Sequence, residues 1–297
     1  MDENMTALKL ALQKSGRLSD DSLALLKRCG LNFDFPKGRL IVPCDDFPID
    51  LLMVRDDDIP NYVGNAACDM GIVGYDVFRE HELTVNNDRN IVKILRRIGF
   101  GRCRLSIAIP EKFEWQGLES LNNKRIATSH VASLKRFLKE SSINASVIEM
   151  SGAVEIAPGM GLADAICDLV SSGATLRSNG LREVAKVYES EAVLIAQGNE
   201  SPLLQTHLDR FLLRLDGVLK AQGSRYIMMN AKRQAVADIS RVAPGLSEPT
   251  VMPLAGTTDR VAIHMVAAEN VFWETLEKLK AFGATDILVL PIEKMME

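Results

Sequence analysis

The run Ala163-Asp164-Ala165-Ile166-Cys167-Asp168-Leu169-Val170 passes directly into Ser171-Ser172-Gly173-Ala174-Thr175-Leu176, and the reading of that passage decides the fold class. An apolar stretch ending on an acid reads as a buried strand, and Leu176 to Leu181 can start a helix. Strand, short loop and helix in that order are the building unit of an α/β fold with mainly parallel sheets. The loop is also a candidate anion site. Gly173 lets a ligand approach the backbone, Ser171, Ser172 and Thr175 add hydroxyl donors, and Ala174 follows where helical N–H groups point outward. Asp168 can accept hydrogen bonds from sugar hydroxyls, so phosphate plus ribose is the first substrate class to test. These residues alone read equally well as an ordinary capped turn. The loop is no Walker loop, lacking Gly-Lys-Ser/Thr, and no dinucleotide fingerprint, lacking Gly-x-Gly-x-x-Gly.

The pattern continues on both sides. Leu8 to Leu12 reads as a strand, Gln13 to Leu18 as a loop, and Asp20 to Arg28 as a helix capped by Ser19. Strands are predicted at 39–42, 49–54 and 68–73, and the pattern restarts near Arg104 with a strand at 125–128, a helix at 133–140 and a strand at 145–149. Two lobes follow, residues 1–102 and 103–183. Arg182 to Ala196 is expected as one long strand crossing back, so that about 184–222 completes the first lobe. Residues 223–297 spell β-α-β-β-α-β, the ferredoxin-like order, after a connecting helix over 203–222.

Composition excludes several classes. The 297 residues leave room for about two or three domains, and 47% apolar with 25% charged is ordinary for a globular protein. A net charge of −4 and a pI near 5.7 argue against a nucleic-acid partner. Five cysteines without a C-x-x-C pair suggest reduced thiols rather than disulfides or a zinc cluster. The acidic, polar start lacks the order of a signal peptide, and no apolar run approaches the ~20 residues that span a bilayer. A soluble, cytoplasmic protein with no membrane partner is the expectation.

Other segments carry chemistry with varying clarity. Lys14-Ser15-Gly16-Arg17 sets two cations around a glycine after the first strand, at the sheet edge where ligands sit, and suits a polyphosphate; a solvated basic loop is the alternative. Asp56-Asp57-Asp58 suggests magnesium at first sight, but acids at a helix start are favoured by the dipole. Asp69 leads into a strand ending in Gly74 and either lines the cleft or belongs to a buried strand with a tight exit. Glu155, in an apolar turn, needs a polar partner. His130 ends a strand on the expected ligand edge, where a structural histidine is the commoner case.

Taken in order, these segments resemble the long form of ATP phosphoribosyltransferase, the first enzyme of histidine biosynthesis. The likeness is carried by Leu12-Gln13-Lys14-Ser15-Gly16-Arg17-Leu18-Ser19, Val54-Arg55-Asp56-Asp57-Asp58-Ile59-Pro60, the run from Gly161 to Val170, Pro253-Leu254-Ala255-Gly256 and the closing Leu288 to Met296. The resemblance implies a two-lobed, periplasmic-binding-protein-like catalytic core plus a C-terminal ferredoxin-like regulatory domain. It implies phosphoribosyl pyrophosphate on Asp168, Ser171, Ser172, Gly173, Ala174 and Thr175, and ATP beside Lys14, Ser15, Gly16, Arg17, Asp69 and Glu155. Lys14, Arg17, Glu155 and Asp168 would be the catalytic set. Histidine, as feedback inhibitor, would contact Asn230, Leu246 and Thr250. Magnesium (Mg2+) would be held mainly by substrate oxygens rather than by a protein cage, and a homo-oligomer, dimer or hexamer, is implied.

The chain departs from the family pattern at three places. His130-Val131 stands where Tyr-Pro is usual, Gly159 where an Arg follows Ala-Pro, and Tyr75-Asp76 follow Gly74 where Glu-Asn is usual. A two-lobed sensor without catalysis, or a regulatory subunit derived from the enzyme, is the rival reading.

Overall fold

The structure, a computed structural model, describes residues 7–36, 38–85, 92–197, 202–243, 245 and 248–296. It resolves into two compact units, one formed by residues up to 208 without 28–30, the other by 209–297 with 28–30.

The first unit holds two sheets. Strands β1 (Leu8–Gln13), β2 (Ile41–Pro43), β3 (Ile49–Val54), β4 (Met70–Gly74) and β5 (Lys93–Arg97) belong to the first, with helices α1 (Arg17–Arg28), α2 (Ile59–Gly64) and α3 (Tyr75–Thr84) between them. The second contains β6 (Cys103–Pro110), β7 (Arg125–Thr128), β8 (Ser146–Glu149) and β9 (Ala165–Val170), with α4 (Val131–Glu140) and α5 (Ala174–Ser178). The expected long return strand is two strands. β10 (Leu181–Ser190) stays in the second sheet, and β11 (Ala192–Ala196) joins the first, so the return begins at 192 rather than near 184. Glu191 is the break, where the chain leaves one sheet for the other. The orders are β2-β3-β1-β4-β11-β5 and β10-β6-β9-β7-β8.

Both sheets are mixed, where mainly parallel ones were expected. β1 runs parallel to β3 and β4, and β7 to β8 and β9, but β2, β5, β6, β10 and β11 pair antiparallel. The alternation of strands and helices marks the parallel centres and says nothing about strands added by the crossings between lobes. Alternation along β9 shows why the strand is so apolar. Cys167 packs with Leu105, Ile126 and Leu134 on one face, Ile166 with Ala108, Val154 and Leu176 on the other. Both faces are covered, so every position except the last few must be apolar.

The second unit contains β12 (Ser224–Lys232), α7 (Val236–Val242), β13 (Thr250–Pro253), β14 (Arg260–Ala268), α8 (Glu269–Ala281) and β15 (Thr285–Pro291). Its sheet order, β13-β14-β12-β15, all antiparallel, is the ferredoxin-like arrangement. Ile227, Met229, Ile263 and Met265 meet Ile239, Phe272 and Leu279 of the helices in one core. The helix between the units, α6 (Pro202–Ala221), contains the division at 209, ahead of the boundary expected at 223.

Candidate active site

Strand register locates the cleft. β1, β3 and β4 end at Gln13, Val54 and Gly74 on one edge of the first sheet, and Ala192 opens β11 opposite Gly74. In the second sheet β7, β8 and β9 end at Thr128, Glu149 and Val170, while Arg104 pairs with Val170 and Cys103 with Ser190. These edges face each other across the chain crossings near Gly101 and Glu191. Ligand sites of open α/β sheets lie at such carboxyl ends.

Lys14, Ser15, Gly16 and Arg17 stand exposed on this edge. The Lys14 N–H donates to the Val54 carbonyl at 2.8 Å, tying the loop to the neighbouring strand end. The helix after it starts at Arg17, not beyond Ser19. Gly16, at φ +97°, turns the chain, and its carbonyl accepts the Asp20 N–H at 3.2 Å, leaving Ser19 buried inside the helix.

Across the cleft, Gly173 adopts φ +71° and caps α5. A Cβ there would stand 3.1 Å from Arg177 Nη1 as well as straining the backbone. The loop is pinned from behind. Arg104 Nη1 donates to the Ser171 carbonyl at 3.1 Å, Arg177 Nη1 to the Ser172 carbonyl at 3.2 Å, and the Ala174 N–H to Ser172 Oγ at 3.4 Å. Ser171, Ser172, Ala174 and Thr175 remain exposed. Arg104, missed at the sequence level, also forks onto Glu183. A cavity of about 500 Å³ runs from Ser171 to Arg97, Arg102 and Arg104.

Asp168 is half-buried behind this loop and accepts the Leu169 N–H at 2.8 Å. Burial pushes its pKa up, and the nearby Glu155 charge adds to that, against the Leu169 N–H and His130. Glu155 lies in the single 3-10 turn Val154–Ile156, half-buried, so the structure brings it to Asp168. Asp69 is not brought there. It precedes β4 at the opposite edge, where its Oδ2 accepts the Lys9 N–H at 2.6 Å. Lys9 and Lys14 are separated by the length of β1, about 16 Å, so the ATP-side role read for Asp69 is corrected to that of a tie between strand starts.

Two of the three departures from the family pattern, at Tyr75-Asp76 and at His130-Val131, meet at the cleft. His130 Nε2 lies 3.6 Å from Asp76 Oδ2, with the two residues only 9% and 7% exposed. Ser190 Oγ donates to Asp76 Oδ1 at 2.6 Å and accepts the Asp76 N–H at 3.1 Å. Gly74 makes room, since a Cβ there would fall 2.5 Å from Asp76 Oδ1. Glu80, one turn further along α3, accepts the N–H groups of Ala132 and Ser133 at 2.5 and 2.9 Å. No local pattern announces Glu80, because its partner is the start of a helix in the other lobe. Beside these groups a cavity of about 400 Å³ is lined by Asp57, Asn61, Glu80, His81, His130 and Glu149. Asp57 belongs to the 3-10 turn Asp56–Asp58 and is pushed up by burial and by its two acidic neighbours.

In the second unit, Asn230 Nδ2 donates to Asp286 Oδ2 at 3.0 Å, and Thr250 opens β13 opposite His264. Thr250 and Asn230 lie two strands and two residues of register apart, about 12 Å, and Leu246 falls outside the described residues.

The family model for ATP phosphoribosyltransferase matches residues 55–217, more than half of the chain, and the model for the HisG C-terminal domain matches residues 221–294. This chain belongs to the ATP phosphoribosyltransferase family. Members are pentosyltransferases of histidine biosynthesis, and both family segments lie here on one chain, the long-form arrangement. Among solved structures, the chain is similar to the ATP phosphoribosyl transferase (HisG:HisZ) complex from Thermotoga maritima. The identity is 27%, over 70% of this chain and 96% of that one, with a TM-score of 0.59. It is also similar to the alkanesulfonate-binding protein SsuA from Xanthomonas axonopodis pv. citri bound to MOPS, at 15% identity over 72% of this chain and 74% of that one, with a TM-score of 0.45. Among the described residues no helix is long and apolar enough to cross a membrane.

Proposed function

We propose that the chain transfers the phosphoribosyl group of phosphoribosyl pyrophosphate to adenine N1 of ATP, releasing pyrophosphate, and that histidine inhibits it. The observation that carries this reading is the pairing of an open, glycine-capped loop, Ser171 to Thr175, with the half-buried Asp168 directly behind it. The loop's hydroxyls and the first-turn N–H groups of α5 suit the 5′-phosphate, since such N–H groups have no carbonyl partner within their own helix. Asp168 accepts from the ribose hydroxyls, and Glu155 beside it recognises a further polar group of the substrates. Lys14 and Arg17 stand exposed on the facing edge, where their charge can neutralise the departing pyrophosphate.

N1 of adenine carries a free lone pair, so the nucleophile needs no strong base. Catalysis by positioning and charge neutralisation fits a site made of backbone donors, hydroxyls and cations. Among the described residues no three His, Cys, Asp or Glu side chains group to hold an ion. Magnesium enters with the substrate, held mainly by pyrophosphate oxygens and waters. The reading extends to a cytoplasmic homo-oligomer with Asn230, Leu246 and Thr250 toward histidine. The Thermotoga relative is itself solved as a complex of two different chains, which makes assembly a reasonable expectation here.

The test is pyrophosphate release from phosphoribosyl pyrophosphate, measured with and without ATP and magnesium, then with saturating histidine. Release that requires both ATP and magnesium supports the transferase; none with any purine nucleotide rejects it. Ligand binding in calorimetry without turnover would favour the non-catalytic sensor, and turnover only after addition of a partner chain would favour the regulatory-subunit reading.

A further inference from the structure

His130, Asp76, Glu80 and Ser190 form a unit that the reaction above does not use. Asp76 and Glu80 come from α3 in the first lobe; His130 and the start of α4 come from the second. Three contacts cross between them: the His130–Asp76 pair and the two N–H groups that Glu80 accepts from Ala132 and Ser133. Ser190, the last residue before the return crossing, donates to Asp76 and joins the crossing to the pair. Tyr75 completes the contact by standing edge-on to Tyr188, ring centres 5.6 Å apart.

We propose that the Asp76–His130 pair, with Glu80 over the start of α4, is a buried latch that holds the two lobes together and tightens when His130 takes up a proton. Carboxylates surround that histidine. Asp76 and Glu80 face it from α3, Asp168 from β9, Asp57 from the turn after β3 and Glu149 from the end of β8, with His81 of α3 lining the same cavity. Glu80 is placed where a helix favours negative charge, at the first N–H groups of α4. A neutral His130, with Nδ1 beside Ser129 Oγ at 3.1 Å, keeps an Nε2–H toward Asp76 but loses the charge, so the pair weakens and the start of α4 held by Glu80 opens more readily.

The direction of titration follows from the surroundings. Burial opposes charge on His130, but Asp76, Glu80 and Asp168 together outweigh it and raise its pKa. Burial likewise opposes charge on Asp76, but His130 and Ser190 outweigh it and lower its pKa. A raised histidine contributes fully below its ordinary value, near 6.5, and loses that contribution as pH rises through the shifted one. A lowered aspartate contributes above its ordinary value, near 4, and loses that contribution as pH falls through the shifted one. The latch is complete between about pH 4 and 6.5 and loosens on the alkaline side.

Two measurements on the full chain without substrates test this. Imidazole NMR should show His130 titrating above an ordinary histidine in the wild type and at least one pH unit lower in Asp76→Asn. Hydrogen exchange should show Ala132 and Ser133 losing at least tenfold protection in Asp76→Asn, and in the wild type above the His130 titration, while Ala127 in β7 stays protected as a folding control. If Asp76→Asn does not fold, His130→Gln should abolish the pH dependence of that protection. An unmoved His130 titration, or Ala132 and Ser133 protection indifferent to both the substitutions and pH, overturns the latch. Neither measurement involves turnover, so the latch and the assigned reaction fail or stand separately.

Discussion

The loop proposed for phosphate and the proposed latch lie on the same cleft and are built in opposite ways. Asp168 to Thr175 are consecutive, and their donors are largely backbone N–H groups aimed by one left-handed glycine. The latch draws Asp76, Glu80, His130 and Ser190 from residues up to 114 apart and consists of side chains brought together from α3, the turn into α4 and the end of β10. A site made of backbone is written in local sequence, because residue type and turn geometry decide it. A site made of convergent side chains is written in topology. The two should also fail differently. Damage to the loop removes substrate contacts, whereas damage to the latch changes how the lobes close.

The largest effect is expected on the loop side of this comparison. Replacing Arg17 with Ala should lower kcat/KM by about 10²–10³-fold, the scale for removing one preorganised charge-stabilising group, while circular dichroism and Tm stay near wild type. A loss below threefold in the coupled pyrophosphate assay would remove Arg17 from the site. Next comes Gly173→Val. It forces a β-branched residue into φ +71° and against Arg177, costing about 1–3 kcal/mol of stability. KM for phosphoribosyl pyrophosphate should rise about tenfold, by analogy with a lost contact of about 1.4 kcal/mol. Denaturant unfolding and initial-rate kinetics check both.

A subtler test separates function from stability at Asp168. Its pKa is raised in the folded protein, burial being the main cause. Ionisation therefore opposes folding: the penalty is absent below the ordinary carboxylate value, about 3.9, and complete above the shifted one. Asp168→Asn should thus raise Tm at pH 7 to 8, with the gain vanishing toward pH 3.5, while activity falls sharply. Calorimetric scans across pH that show no such convergence would mean that Asp168 is not strained. The smallest change is expected at Asp69→Asn. The carboxylate it replaces ties the starts of β1 and β4, so stability should drop by about 1 kcal/mol with kcat/KM within about twofold. A large loss of ATP affinity would return Asp69 to the cleft.

What was legible in the sequence follows the same division. The β-α-β-β-α-β order of the second unit, the strand ending at Val170 and the turn at Gly173 could be read from apolar periodicity and glycine placement. The helix starts at Arg17, three residues ahead of the Asp20 start that Ser19 as a cap implies, because the turn depends on Gly16. Asp69 precedes its strand, at the amino end away from the carboxyl edge where ligands sit, and its partner, the Lys9 N–H, lies 60 residues away. Glu80 and Arg104 gave no sign at all, since each satisfies backbone groups more than 50 residues away.

The family, the α/β class and the glycine turn after the strand ending at Val170 were thus determined by sequence alone, because periodicity, glycine placement and contiguous motifs act over a few residues. The mixed strand directions, the return of the chain through two strands and the meeting of Asp76 with His130 were decided only in three dimensions. Their physical cause is long-range pairing: which strand edge a segment joins, and which charge it then faces, depends on partners that no local window contains.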